Sequence, residues 1–362
     1  MKKSKWADLP MEILRRIMEK LFWSERLPSC LVCKTWHECF LEIQNEEQFL
    51  PWVMTMEHGG ICNLGDPAKQ ASQIVEGATH DLLGYACASR YGWVLFLNDL
   101  DDYDNDLTID YEQYILYSPF TNEVIKFPKL IEDYTSKATF SHSPGSPNCM
   151  VIVFSAENRK ISIKTCQPGD KSWKIFEIKG DKVGQVACVG DFVYCIYSDD
   201  DWKLGAFNIK QQELLQVSSG ILPMNTDPSQ YSLLVAFNED ILLQSLSSDK
   251  TRSQYWRLDL SEDKWVVVED EIMKKHVIFE GCTSFTVPAV RDARQSAGMV
   301  YSFNNCSSLS DFSCLPFDAD LTLRGPEVRH HRWLNGDYKW LEEDYKPREK
   351  IWIQPPFQRI WR

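Results

Sequence analysis

The chain has 362 residues, 44% of them hydrophobic and 12% aromatic, enough to bury a sizeable core and to leave room for more than one domain. No run approaches the roughly 18 unbroken apolar residues of a membrane helix, and the start MKKSKWADLPMEIL has no apolar signal core, so no membrane partner is expected and the chain should stay in the cytoplasm or nucleus. Its net charge of −13 is uneven: residues 1–50 carry eight Lys+Arg against eight Asp+Glu and the last 39 carry nine against six, leaving 22 against 38 in between, an acidic middle that repels phosphate backbones and excludes nucleic acid as an expected partner.

The first predicted element is a helix from about Pro10 to Leu21. Ile13, Leu14, Ile17, Met18 and Leu21 recur as one amphipathic stripe, Pro10 suits the first helical position, and the Glu12 carboxylate meets the positive end of the helix dipole. A second helix is expected from about Pro28 to Phe40, and a further polar one, EIQNEEQFLPWVMTM, leads out of it. The expected organisation is a helical module over residues 1–45, a connector helix over 46–57 and an all-β domain over 58–362.

The stretch CLVCKTWHECF, Cys30 to Phe40, poses a metal question. On a helix from Pro28, Cys30, Cys33 and His37 fall within an arc of roughly 60°. Cys39 lies opposite Cys30, however, and Val32, Cys33, Trp36, Cys39 and Phe40 form an apolar stripe of their own. Structural zinc wants four ligands, and no second Cys-x2-Cys pair occurs, so no metal is expected. The remaining nine of the twelve cysteines are scattered through runs such as VACVG and VYCIY and read as reduced, buried thiols.

After about residue 58, two kinds of segment alternate. One is a plain apolar strand: GWVLFLN, CMVIVFS, DFVYCIY, DILLQSL and GMVYSFN. The other is a hairpin around a polar turn: ILYSPFTNEVIKF, ISIKTCQPGDKSWKIFEI, LGAFNIKQQELLQV and YWRLDLSEDKWVVVE. The turn markers Thr121, Gly169, Lys210 and Ser261 are spaced by 48, 41 and 51 residues, and the DKSW and DKW turns place Trp173 and Trp265 92 residues apart. Recurrence at this period is what stacked four-stranded blades produce, so a β-propeller of six or seven blades is expected, with two stacked β-sandwiches as the alternative.

Three polar runs are candidate sites. In NDLDDYDNDLTID a calcium loop starting at Asp102 would place Asp104 and Asp106 correctly, but Leu107 stands where glycine is required and Gln113 where the bidentate glutamate belongs. A solvated loop is expected there, and likewise at Asp199–Asp201. Together these loops would concentrate acidic charge at the propeller rim, where a basic or mixed-charge target could be steered. In EVRHHRW, Glu327 to Trp333, the adjacent histidines would point to opposite faces of a strand, which disfavours chelation. No nucleophile elbow, P-loop or dinucleotide fingerprint occurs, so neither catalytic residues nor cofactors are expected.

The run DLPMEILRRIMEKL, followed by Leu27 and CLVCKTWHECF, resembles the F-box: Leu9, Pro10 and Glu12, the Ile13/Leu14/Ile17/Leu21 stripe, and LVCKTW from Leu31 to Trp36. SPFTNEVIKFP, PGDKSW, LDLSEDKWVVVE, GMVYSFNN and WIQPP further resemble plant F-box proteins with a KIB-type, kelch-like β-propeller, whereas CTSFTVPAV and HHRW depart from that pattern. This resemblance implies a non-catalytic substrate receptor of a ubiquitin ligase, docked on a Skp-type adaptor and cullin scaffold and holding an unknown target protein. Leu9, Pro10, Ile13, Leu14, Ile17, Leu31, Val32 and Trp36 are the residues it implies for adaptor contact, although Ile17 and Leu21 could equally hold the module together. A propeller enzyme, or a propeller that binds partners without promoting ubiquitination, are the rival readings.

Overall fold

The structure is a computed structural model, and it describes residues 6, 9–21, 26, 29–46, 50–57, 61–66, 71–75, 84–100, 111–131, 136–199, 201–217, 222, 233–246, 253–259, 262, 264–303, 312–316 and 350–354. Helix α1 spans Met11–Lys20, with Pro10 at its N-cap, Glu12 in the first turn and Lys20 in the last. Leu14 and Met18, one turn apart, are fully buried. They pack on α2, Lys34–Glu46, through Trp36, Cys39, Phe40 and Ile43.

Two helical expectations are corrected. The sequence predicts a second helix from about Pro28, but Cys30–Val32 form a turn and the helix starts at Lys34. The third was to run on to Met56, yet Trp52–Glu57 is strand β1. Pro51 cannot continue a helix, and the β-strand exposes both backbone edges, each of which finds a partner. Trp52, Val53 and Met54 are thereby buried to 3% exposure or less.

Strands then follow in groups. β2 (Ile61–Asp66) and β3 (Ala71–Val75) extend β1 outward, while β25, Lys350–Ile353, pairs on its inner side, giving the order β25-β1-β2-β3. The next sheet runs β4 (Tyr85–Arg90), β5 (Trp93–Leu100), β6 (Tyr111–Ser118), β7 (Glu123–Lys126), with β8 (Leu130–Ile131) also on β6. A third comprises β9 (Lys137–Phe140), β10 (Val151–Glu157), β11 (Lys160–Cys166) and β12 (Lys174–Lys179). A fourth comprises β13 (Lys182–Val189), β14 (Phe192–Ser198), β15 (Trp202–Asn208) and β16 (Glu213–Gln216). The second, third and fourth are antiparallel meanders in sequence order.

The last sheet differs. β17 (Leu233–Phe237), β18 (Asp240–Leu246), β19 (Ser253–Asp259) and β20 (Lys264–Val267) repeat the meander. A short helix α3 (Asp270–Met273) leads to β21 (His276–Glu280) and β22 (Ser284–Pro288), and a 3-10 turn leads to β23 (Met299–Phe303) and β24 (Phe312–Pro316). β22 pairs parallel with β17, joining both groups into one eight-stranded sheet ordered β20-β19-β18-β17-β22-β21-β23-β24.

The cores lie between successive sheets. Val94, Phe96 and Ile115 pack against Met54, Leu64 and Ile351; Phe140, Val151 and Val153 pack against Tyr114 and Leu116; Phe154 and Ile163 meet Val193 and Phe207; Leu204 meets Leu234 and Leu243. The set closes on itself, because Val277, Phe279 and Phe285 pack against Val53 and Trp352 of the first sheet. Sheets packed face to face in a closed ring around their inner strands are a β-propeller, as the repeat spacing predicted.

Candidate docking face on the helical unit

The helical unit builds a small core and leaves part of its apolar sequence outside. Leu14, Met18, Cys30, Trp36, Cys39, Phe40 and Ile43 are buried, with Leu9, Met11, Ile17, Leu21, Cys33 and Leu41 packed around them. Polar contacts lock this arrangement. The Trp36 Nε1–H donates to the Trp6 carbonyl at 3.0 Å. The buried Arg26 guanidinium donates to the Leu21 and Glu19 carbonyls at 2.9 and 3.0 Å, satisfying carbonyls that the end of α1 leaves unpaired.

The eight residues implied for adaptor contact therefore divide. Leu14 and Trp36 belong to the interior of the unit, where their side chains help to hold it together. Leu9 and Ile17 are half-buried against the same core. Pro10, Ile13, Leu31 and Val32 stay outside, with Ile13 at 42%, Leu31 at 82% and Val32 at 55% exposure. Leu31 and Val32 sit in the turn before α2, which pushes two branched apolar side chains into solvent. Ion pairs on the helix surfaces, Arg15–Glu19 at 3.2 Å and Lys34–Glu38 at 3.6 Å, are exposed and contribute little stability.

The cysteines answer the metal question in physical terms. Cys30 and Cys39 lie in the core of the unit, and burial raises both thiols above their ordinary range. Because α2 begins only at Lys34, Cys30 is not on a common helix with Cys33 and His37, and the arc that would have grouped them does not form. Among the described residues no three His, Cys, Asp or Glu side chains gather as metal ligands.

Elsewhere, Gln113 lies on β6 with its amide donating to the Phe127 carbonyl at 2.9 Å, so the last position of the weighed calcium loop is part of a sheet. Residues 101–110, and the paired histidines 330 and 331, lie outside the described residues. Asp199 is tied to Lys203, and that hydrogen bond holds its carboxyl below the usual range, so part of the charge of this turn is matched locally. No described helix is long and apolar enough to cross a membrane.

A family model described as the KIB1-4 beta-propeller matches residues 69–320. The chain belongs to this family. Over almost its whole length this KIB1-4 propeller protein is similar to an F-box/kelch-repeat protein of Arabidopsis thaliana, at 23% identity over 98% of this chain and 96% of that one. An F-box protein of the same plant is 26% identical over 46% of this chain and 41% of its own length. Among solved structures, TolB from Acinetobacter baumannii aligns with a TM-score of 0.38 at 13% identity, covering 58% of this chain and 49% of that one. Two things in this KIB1-4 protein escaped sequence reasoning: the role of Arg26, which carries no local signal, and inner strands such as β4, YACASR, and β9, KATF, which are poor in large apolar residues.

Proposed function

We propose that the protein is the substrate-recognition subunit of a Skp/cullin/F-box ubiquitin ligase, working in the cytoplasm or nucleus without catalysis of its own. In this reading the helical unit is an F-box that docks on a Skp-type adaptor, and a six-bladed propeller beginning at Trp52 holds the target. One observation carries it: Leu31, Val32 and Ile13 stand exposed beside a core that is already complete. A partner that covers them gains roughly 1.5–3 kcal/mol for each side chain fully buried. The similarity to a full-length F-box/kelch-repeat protein supports the same reading.

The test is binding of a purified Skp-type adaptor to the full chain and to Leu31→Asp/Val32→Asp. We expect the double variant to bind at least about tenfold more weakly. Its melting temperature should not change, because both side chains are already in solvent. Equal adaptor affinity in the two proteins would remove the ligase reading.

A further inference from the structure

Each inner strand ends at a residue that pairs with the first residue of the second strand. These pairs are Ile353 with Trp52, Arg90 with Trp93, Phe140 with Val151, Val189 with Phe192, Phe237 with Asp240 and Pro288 with His276. Five of the six end residues are apolar, and four of these are at most 8% exposed, Pro288 alone among them being exposed. Arg90 is the exception, a cation in a structural position that elsewhere takes an apolar side chain.

Its surroundings provide no counter-charge among the described residues. Arg90 Nη1 reaches the Phe140 and Ser141 carbonyls only at 3.5 and 3.4 Å, across the end of the neighbouring inner strand. The third neighbour is Cys188, near the end of the next inner strand. Burial raises its thiol above the ordinary range, although the guanidinium pulls the other way, so the sulfur stays protonated at neutral pH. A guanidinium remains charged under these conditions.

The turn beside it is shaped for this group. In the two-residue turns that follow the inner strands, the first position has positive φ at Gly190 (58°) and Asn238 (53°), residues that tolerate it. The equivalent residue here is Tyr91, at φ 53°, where a bulky side chain is strained. The conformation puts the ring 4.9 Å from the Arg90 guanidinium carbon and the hydroxyl 3.4 Å from the Ser141 carbonyl it donates to.

We propose that Arg90, backed by Tyr91, is an anion-binding site at the end of the propeller channel, and that it takes the carboxylate of an acidic segment of a target protein. The proposal rests on the receptor reading above. A single guanidinium with neutral neighbours matches a monoanion, whereas a phosphate dianion would leave an unmatched negative charge in a chain already at −13. The planar fork also suits a carboxylate held by two parallel hydrogen bonds.

The test selects binders to the purified full chain from a random-peptide display library and measures the resulting peptides by fluorescence anisotropy. We expect them to share one Asp or Glu, and replacing it by Asn or Gln to weaken binding at least about tenfold. Arg90→Gln and Arg90→Leu should lose the same factor, with Arg90→Lys intermediate. Arg90→Leu restores the apolar residue of the other inner strands and should melt within about 3 °C of wild type. Selected peptides without acidic enrichment, or acidic peptides bound equally by Arg90→Leu, would overturn the site. Unfolding of both neutral variants would instead mark Arg90 as a structural clamp and overturn it too. Tighter binding when phosphoserine replaces the acidic residue would overturn the carboxylate assignment. Adaptor binding, measured on the same preparations, should be indifferent to Arg90, so failure of the receptor reading would show there and leave the peptide result separate.

Discussion

Trp52 stands opposite Ile353 in the first sheet, although nearly the whole chain separates them. β25 brings Ile351, Trp352 and Ile353 into full burial, and the Trp352 Nε1–H donates to the Glu280 carbonyl at 3.2 Å, bridging the first sheet to the last. Deleting residues 350–362 should therefore destabilise the propeller by on the order of 5 kcal/mol. Denaturant titration should show a lower midpoint and a broadened transition. An unchanged midpoint would mean that β25 is not what closes the ring.

The division within the helical unit predicts two kinds of variant. Leu14→Ala and Trp36→Ala remove buried side chains and should each cost about 2–5 kcal/mol of helical-unit stability, read as lost helical signal on heating. Leu9→Ala with Pro10→Ala touches the margin of the core and should weaken adaptor binding by about 2 kcal/mol or more while the propeller stays folded. If the interior and surface variants behaved alike, the division would be wrong.

Purified protein should contain no stoichiometric zinc, and a chelator should leave its helicity unchanged. Cys30 and Cys39 act as small apolar side chains in the core, and the turn before Lys34 separates Cys30 from His37. One zinc per chain, lost on Cys30→Ser, would contradict this.

Burial pushes the Cys62 and Cys195 thiols from an ordinary 9.0 up to about 12. Unfolding exposes them, so between these values the unfolded chain gives up protons that the folded chain keeps. Their contribution is fully present below about pH 9 and is lost as pH rises toward 12. We expect the melting temperature to fall over that window more steeply in wild type than in Cys62→Ala/Cys195→Ala. At pH 8 a small alkylating reagent should modify the exposed Cys282 well before either buried thiol. Equal rates would argue against the buried assignment.

The legible part of the fold was the outer three-quarters of the four middle repeats. GWVLFLN, CMVIVFS, DFVYCIY and DILLQSL are the second strands β5, β10, β14 and β18, and the four polar-turn hairpins are the third and fourth strands of the same sheets. Their turns recur because each blade places one at the same edge. The inner strands escaped notice for physical reasons. YACASR and KVGQVACV carry small residues, since the centre of a ring is crowded, and both have register shifts, between Ala86 and Ala88 and between Val183 and Val186, which break the two-residue alternation. Trp52–Glu57 was misread because its apolar run continues a helical stretch, and one of its two partners, β25, lies so far away in sequence that only the fold supplies it. Of the docking residues, the apolar pattern gave the set, but it could not tell Leu14 from Ile13: adjacent positions on one stripe end at 0% and 42% exposure, a choice made by where α2 lies.

The place of β25 also bears on biosynthesis. While the chain is being made, β1, β2 and β3 are available early, but the inner edge of β1 has no partner until residues 350–353 leave the ribosome. For most of synthesis the nascent protein thus carries an open strand edge, a template for wrong pairing and a natural ligand for chaperones. The two helices need only local contacts and can fold long before that. A product halted before residue 350 would then own a finished helical unit and an unclosed ring, and where the helices engage an adaptor it would occupy that adaptor without a completed target-binding domain behind it.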